Sequence, residues 1–218
     1  STVSYYERIV ERYRAVAGDE RYPEIVVLSL PFQEMVEREY RWPGRMLEAL
    51  ERLAAAGADF AVAACNSIHV VYDDVAPRSP IPWVHIADAV AAEIRTRRVS
   101  RVLLMGTMFT MEADFYPKRL AAAGIGTAVP GPEARAEIHG VIYGELVKGV
   151  VRDESRRRLL RHTLVPPGSE CGGVVLGCTE LPLLIRPEDS PLQIFDTAAI
   201  HADYALDAAL GIRPVPGL

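Results

Sequence analysis

Two cysteines of this chain occupy the same sequence setting, and a matched pair of thiols can perform acid–base chemistry. Each follows an apolar run and precedes small polar residues, in AVAACNS at residues 61–67 and in GVVLGCTE at residues 173–180. Such runs are typical of buried parallel strands, so Cys65 and Cys178 should lie at the carboxyl ends of two strands. Loops at that edge of an α/β sheet bind ligands, and the N–H groups of a following turn favour anions.

Two thiols in matching settings suggest paired acid–base chemistry. In such a pair one sulfur acts as a thiolate that removes a proton, while the other acts as a thiol that delivers one. A free thiol titrates near ~8.5, and N–H groups at the start of a helix favour the thiolate. Cys65 and Cys178 are therefore the candidate catalytic residues. The alternative is that each is an ordinary buried small residue at the end of a strand.

Polar residues that follow the apolar runs could bind the acid group of a substrate. Asn66, Ser67 and Thr179 offer amide, hydroxyl and backbone N–H donors beside the thiols. Thr107 and Thr110, which follow the first apolar run of the second half, are further candidates. All five residues could instead act only as helix caps.

Three titratable residues could support this chemistry indirectly, by acting on a thiol or on a carboxylate. His69 comes four residues after Cys65, and Glu180 comes two residues after Cys178. His85 follows another apolar run of the first half. Each could tune a thiol or a carboxylate, and each could equally be a hydrogen-bonded structural residue.

Composition restricts the class of protein and its partners. The chain has 218 residues and a formal charge of -5, with no basic stripe, so nucleic acid is not an expected partner. No apolar segment is long enough to span a bilayer, and the first residues indicate a charged helix rather than a signal peptide, which favours the cytoplasm. The three cysteines show no C-x-x-C spacing, so we expect reduced thiols and no metal site. Cys171 lacks the flanking pattern and is expected to be a structural residue.

The order of elements predicts an α/β fold with mostly parallel sheets. Apolar and β-branched runs predict strands at 24–30, 59–64, 83–86, 101–106, 125–129, 173–177 and 192–196. Amphipathic segments between them predict helices at 2–16, 43–56, 86–97, 113–123, 132–149, 153–164 and 197–210. Two similar Rossmann-like domains are expected, over 1–97 and 98–196, with the C-terminal helix of 197–218 packing back on the first.

Several segments together resemble the aspartate/glutamate racemase family, over nearly the whole chain. The segments that carry the resemblance are ACNSIH at 64–69, LGCTE at 176–180, MGTMFTM at 105–111, PWVHIADA at 82–89, EADFY at 112–116 and IHGVIYGELVKG at 138–149. The sequence departs from the family at Ser67, where threonine is common, and lacks the opening strand with its Gly-rich turn. We therefore expect either that residues precede Ser1 or that the first sheet lacks a strand.

The resemblance implies a reaction and a set of partners. In that family two similar α/β domains face each other across a cleft, and two cysteines flank the substrate α-carbon without any cofactor. It implies racemisation of a small dicarboxylic amino acid, with aspartate first and glutamate next, by a homodimer. By the same resemblance, Lys148 would supply a cation for a carboxylate.

Two other kinds of function remain open at this stage. The wider superfamily includes maleate cis-trans isomerases, which also use two cysteines, hydantoin racemases, and malonate decarboxylases with a single cysteine. A protein that binds a dicarboxylate without catalysis would need neither thiol. The sequence does not decide between aspartate, glutamate and another amino acid, nor which thiol serves which enantiomer.

Overall fold

The computed structural model describes residues 1–18, 21–38, 42–164 and 170–215. The chain divides into two compact units. The first comprises Ser1–Ala89 and Ala198–Leu218, and the second comprises Val90–Thr197. Each unit is described separately below.

Helices and short parallel strands alternate along the described residues. The helices are α1 (Thr2–Ala17), α2 (Phe32–Glu37), α3 (Pro43–Ala55), α4 (Tyr72–Val75), α5 (Ile86–Thr96), α6 (Met108–Glu112), α7 (Phe115–Ala122), α8 (Pro132–Gly144), α9 (Asp153–Thr163) and α10 (Thr197–Ala209). The strands are β1 (Ala61–Val62), β2 (Trp83–Val84), β3 (Arg101–Gly106), β4 (Gly126–Ala128), β5 (Gly173–Gly177) and β6 (Gln193–Asp196).

The first unit has a two-stranded parallel sheet in which Ala61 pairs with Trp83. Helices α1 and α10 pack together through a cluster of buried aromatic and aliphatic side chains, and Val62 and Ala64 pack against the same cluster. Ion pairs reinforce this packing, among them Arg12 with Asp207 at 2.7 Å. The segment that carries Cys65 is thus supported by the first and last helices of the chain.

The strand predicted at 24–30 is wrong, because the structure assigns no strand to these residues. Val26 and Val27 are 41% and 53% exposed, while Ile25 packs against the cluster between α1 and α10. An apolar, β-branched run forms a strand only where a neighbouring strand completes its hydrogen bonds. Among the described residues of this unit, only β1 and β2 pair with each other.

The second unit has a four-stranded sheet in the order β4-β3-β5-β6, and every pair is parallel. The central strands β3 and β5 are buried almost throughout, as the continuous apolar runs predict. In their register, Gly106 pairs with Gly177, so the loops that follow the two strands start side by side. The predicted α/β class with parallel sheets is confirmed.

Two helix predictions in the second unit need correction. The helix predicted at 132–149 ends at Gly144, and a separate 3-10 helix, Leu146–Lys148, ends at Gly149 with a φ of 74°. The helix predicted at 113–123 begins at Phe115, and the short helix α6 precedes it. Among the described helices, none has both the length and the apolar character needed to cross a membrane.

Candidate active site

Cys65 lies just after β1, in a turn that leads into the 3-10 helix Ser67–Val71. Cys65 is half-buried, whereas Asn66 and Ser67 are only 3% and 4% exposed. The backbone N–H of Cys65 donates to the Ala63 carbonyl at 2.8 Å, which tightens the turn. The strand predicted at 59–64 is shorter, so Cys65 lies three residues after the strand rather than directly at its end, and its two polar neighbours are buried.

His69 stabilises this turn by a side-chain contact with its backbone. Its Nδ1 lies 2.9 Å from the carbonyl oxygen of Cys65 and 3.2 Å from that of Asn66. A carbonyl oxygen can only accept, so Nδ1 carries the proton and donates to the backbone of the turn. The histidine is 1% exposed, and its Nδ1 contacts the backbone of the turn.

His69 belongs to a cluster of three buried histidines in the first unit. Its ring centroid lies 4.7 Å from that of His85 and 5.8 Å from that of His201. His85 caps α5, because its Nδ1 accepts from the Ala87 N–H at 3.0 Å. The contact between His69 and His85 could not be read from the sequence, because 16 positions and a strand separate them.

His201 has a defined protonation state in this cluster. Its Nε2 lies 3.2 Å from the Val84 carbonyl oxygen, so Nε2 carries the proton and Nδ1 accepts from the Tyr5 hydroxyl at 2.9 Å. Burial, with a smaller effect of nearby His69, lowers the pKa of His201 from its ordinary value to about 3, although the bond to Val84 opposes this. This histidine is therefore neutral and structural near pH 7.

Cys178 lies directly after β5 in the second unit and is 8% exposed. Its Sγ donates to the Oε2 atom of Glu180 at 3.1 Å, and the Thr179 hydroxyl donates to the same oxygen at 2.7 Å. The backbone N–H of Leu181 donates to the Cys178 carbonyl at 3.2 Å and begins a 3-10 helix. Thr179 and Glu180, both predicted from the sequence, thus meet beside this thiol.

Thr107 and Thr110 lie at the same edge of the sheet as Cys178. Thr107 follows β3 as Cys178 follows β5, and the two strands pair up to their last residues. Thr107 caps α6, because its Oγ1 accepts from the Thr110 N–H at 3.2 Å, and the two hydroxyl oxygens lie 3.1 Å apart. The capping role is therefore observed, and binding of a substrate by these hydroxyls stays a prediction.

His139 supports this turn and was not predicted as a site residue. Its Nδ1 accepts from the backbone N–H of Met108, directly after Thr107, at 3.2 Å. It lies on α8, 32 positions after the threonine, and no local pattern in the sequence connects the two. Lys148 is exposed at the end of its 3-10 helix, so its part in binding a carboxylate stays a prediction.

Cys171 is buried in the apolar core of the second unit, in one cluster with Val174 and Ile194. Among the described residues, no group of three or more His, Cys, Asp or Glu side chains could hold a metal ion.

Comparison with known proteins gives this arrangement a context. The sequence profile of Asp/Glu/Hydantoin racemase matches residues 1–205. The chain belongs to this racemase family. The enzyme class predicted from the sequence, an isomerase of the racemase type, is confirmed by this membership.

Similar proteins differ in how much of their length the chain matches. The structure of an aspartate racemase homologue from Pyrococcus horikoshii OT3 matches this chain with a TM-score of 0.84 and 37% sequence identity. The match covers 96% of this chain and 93% of the homologue. The broad specificity amino-acid racemase RacX of Bacillus subtilis (strain 168) is 21% identical over 98% of this chain and 95% of its own. The glutamate racemase of Streptococcus gordonii is 26% identical over 67% of this chain, which spans only 53% of that protein.

Proposed function

We propose that the protein racemises a dicarboxylic amino acid, with aspartate as the first candidate. The observation that carries the proposal is the repeated arrangement of a cysteine and polar neighbours at the carboxyl end of a parallel strand, in a chain of the racemase family. Aspartate is favoured over glutamate by the 37% identity with an aspartate racemase homologue of nearly the same extent.

The proposed reaction is a 1,1-proton transfer between two bases. The thiolate of one cysteine removes the α-proton, and the electron pair of the broken C–H bond passes onto the α-carbon and its carboxylate. The thiol of the other cysteine gives its proton to the opposite face of the α-carbon and becomes a thiolate. The two sulfurs have then exchanged protonation states, and Cys65 and Cys178 fill these roles in the proposal.

The difficult step is the loss of an α-proton from a carbon that already carries a carboxylate. Preorganised donors must stabilise the added negative charge, and removal of one such donor costs on the order of 100-fold in rate. Asn66, Ser67, Thr107, Thr110 and Thr179 are the proposed donors. Lys148 is proposed to bind a substrate carboxylate, and the protein is proposed to act as a cytoplasmic homodimer without a cofactor.

A chiral product assay tests the reaction. The purified protein is incubated with each enantiomer of aspartate, glutamate and a panel of neutral and basic amino acids, and the products are separated by chiral chromatography. We expect racemisation of aspartate to be fastest. Equal rates across the panel would favour a broad-specificity racemase, the activity named for RacX.

Cysteine variants test the mechanism in the same assay. We expect Cys65→Ala and Cys178→Ala each to lose racemisation by at least about 1,000-fold, because each removes one of the two proton-transfer groups. Cys171→Ala is the matched control, since this cysteine is buried in the core, and it should retain activity. Full activity of Cys178→Ala would exclude the two-thiol scheme.

The same samples address the other function classes. Turnover of maleate, followed by ultraviolet absorbance, with no change in any amino acid would replace the proposal with a cis-trans isomerase. Thermal stabilisation by aspartate with no turnover of any compound would indicate a binding protein.

A further inference from the structure

One carboxylate oxygen in the second unit accepts two hydrogen bonds. The Oε2 atom of Glu180 receives the Cys178 thiol at 3.1 Å and the Thr179 hydroxyl at 2.7 Å. Two anions would repel each other at this distance, so a proton must lie between the sulfur and the carboxylate oxygen, and it belongs to the sulfur because a thiol is the weaker acid. A thiolate at the same place would set a second negative charge against the carboxylate.

The surroundings of Cys178 act in the same direction. The residue is 8% exposed and lies in an apolar cluster with Met105, Met111 and Leu181. Burial in apolar surroundings and a nearby negative charge both disfavour a thiolate. Titratable groups on the elements around this cluster include three with partners: Glu112 pairs with Arg135, Glu145 accepts from Ser155, and His139 accepts from Met108. Cys171 and Tyr143 also belong to or pack against the cluster, Glu137 and His162 pair with each other on α8 and α9, and Asp196 ends β6.

We propose that Glu180 is a positioning residue that keeps Cys178 protonated in the resting enzyme. The role in turnover rests on the proposed function, whereas the protonation state of the thiol does not. With Cys178 as the resting acid, the first proton is removed by the other base, the thiolate of Cys65. The resting enzyme therefore has the protonation state that is needed to react with only one of the two enantiomers.

The proton balance of a turnover follows from this assignment. The α-proton moves to the Cys65 sulfur, the C–H electron pair remains on the substrate, and the S–H bond of Cys178 breaks as its proton bonds to the α-carbon. Cys178 is left as a thiolate beside the carboxylate of Glu180, which is the less favourable of the two charge states. The carboxylate therefore makes the two forms of the enzyme unequal in free energy.

Alkylation of the folded protein by iodoacetamide measures the thiolate directly. Rates are followed from pH 6 to pH 10 by mass spectrometry of the peptide that contains Cys178, because only the thiolate reacts. In Glu180→Gln the carboxylate charge is lost at nearly constant side-chain size. We expect alkylation of Cys178 to become about tenfold faster at pH 7, with its midpoint at lower pH.

Two variants separate the charge of Glu180 from other effects. Glu188→Gln makes the same charge change at an exposed carboxylate of this unit and should keep the wild-type profile. Glu180→Ala also removes the charge and provides a second test if Glu180→Gln does not fold. A change in access alone would multiply the rate equally at every pH, whereas loss of the charge moves the midpoint.

An unchanged or higher midpoint in folded Glu180→Gln or Glu180→Ala would overturn the assignment of Glu180. That result would leave the racemase proposal standing if the wild-type protein racemises aspartate. Conversely, a protein that shifts its alkylation midpoint as expected but racemises nothing would retain this role for Glu180 and lose the proposed function.

Discussion

The two cysteine loops share a sequence pattern but are supported in different ways. The loop of Cys65 follows a two-residue strand in a two-stranded sheet, and His69 holds its backbone from a cluster of buried histidines. The loop of Cys178 follows a buried five-residue strand in a four-stranded sheet, and Glu180 accepts from its sulfur. A repeated motif therefore does not imply repeated electrostatics, and the two thiols should differ in reactivity.

Among the residues that support the loops, the largest effect should come from His69, which contacts the backbone of the first loop. In His69→Ala the carbonyl oxygens of Cys65 and Asn66 lose their common donor, and the turn that carries the thiol is free to shift. We expect kcat to fall about 100-fold, the loss that a displacement of about 1 Å can cause. Steady-state kinetics with a circular dichroism control would measure this.

His162→Ala is the matched control for that variant. This histidine is partly buried, pairs with Glu137 at 2.6 Å and lies in the second unit. It should leave kcat within about threefold of wild type. An equal loss in both variants would mean that His69 has no special relation to Cys65.

The second loop depends on the close approach of β3 and β5. A Cβ atom added at Gly177 would meet Leu104 Cδ1 at 3.0 Å, the Met105 carbonyl oxygen at 3.1 Å and Thr110 Cγ2 at 3.2 Å. Because two of these neighbours are a backbone atom and a packed core side chain, Gly177→Ala should lower the free energy of unfolding by about 1–3 kcal/mol. Urea denaturation would measure the loss.

A second glycine provides the control for this packing effect. Gly140 lies within α8 and has no atom within 4 Å of an added Cβ. Gly140→Ala should be neutral or stabilise by up to about 1 kcal/mol, because alanine favours a helix over glycine. Destabilisation of similar size in both variants would contradict the special role of the strand contact.

The histidine cluster should make the first unit sensitive to acid. The pKa of His201 is about 3 in the folded protein against about 6.5 in the unfolded chain, so below pH 6.5 the unfolded state gains a proton that the folded state does not. The contribution of His201 to the free energy of unfolding is therefore fully present above pH 6.5 and decreases as the pH is lowered. Between pH 7 and pH 5 the loss from this residue is about 2 kcal/mol.

His201→Gln tests this assignment, because glutamine does not titrate. Urea denaturation of the variant at pH 7 and pH 5 should show a loss smaller than that of wild type by about 2 kcal/mol. The same pH dependence in both proteins would show that the buried His201 is not the acid-sensitive group.

The smallest expected loss of stability concerns the cap that Thr107 provides to α6. In Thr107→Ala the N–H of Thr110 loses its acceptor, and we expect a loss of about 1 kcal/mol in unfolding free energy. Thr107→Ser keeps the hydroxyl and should retain most of the stability. If Thr107 is also one of the proposed donors, only the alanine variant should lower kcat/KM for aspartate, by up to about 100-fold.

Sequence patterns predicted the parts of the fold that depend on local periodicity. The strands at 101–106 and 173–177 are apolar apart from Arg101 and are present with those bounds. The run at 24–30 is also rich in apolar and β-branched residues, yet it forms no strand, because pairing depends on a neighbour that the run itself does not encode. The predicted helix 132–149 likewise breaks at Glu145, whose side chain accepts from Ser155 on α9, a contact that the helical pattern does not encode.

The candidate site was predictable where its residues are adjacent in sequence. Glu180 and Thr179 were named from their positions beside Cys178, and the structure adds which oxygen accepts from both. The support that His139 gives beside Thr107 was not predictable, because it joins α8 to the first residue of α6 through one backbone N–H. Contacts of this kind have no periodic signature in a single sequence.

Exchange of the α-hydrogen in D2O by the two single cysteine variants tests the central claim most directly. Each variant keeps one thiol, so it should exchange the α-hydrogen of one enantiomer of aspartate without inverting it, as followed by proton NMR. We predict that Cys65→Ala and Cys178→Ala act on opposite enantiomers. Exchange of the same enantiomer by both variants, or racemisation at the wild-type rate by either, would contradict the assignment of one thiol to each face.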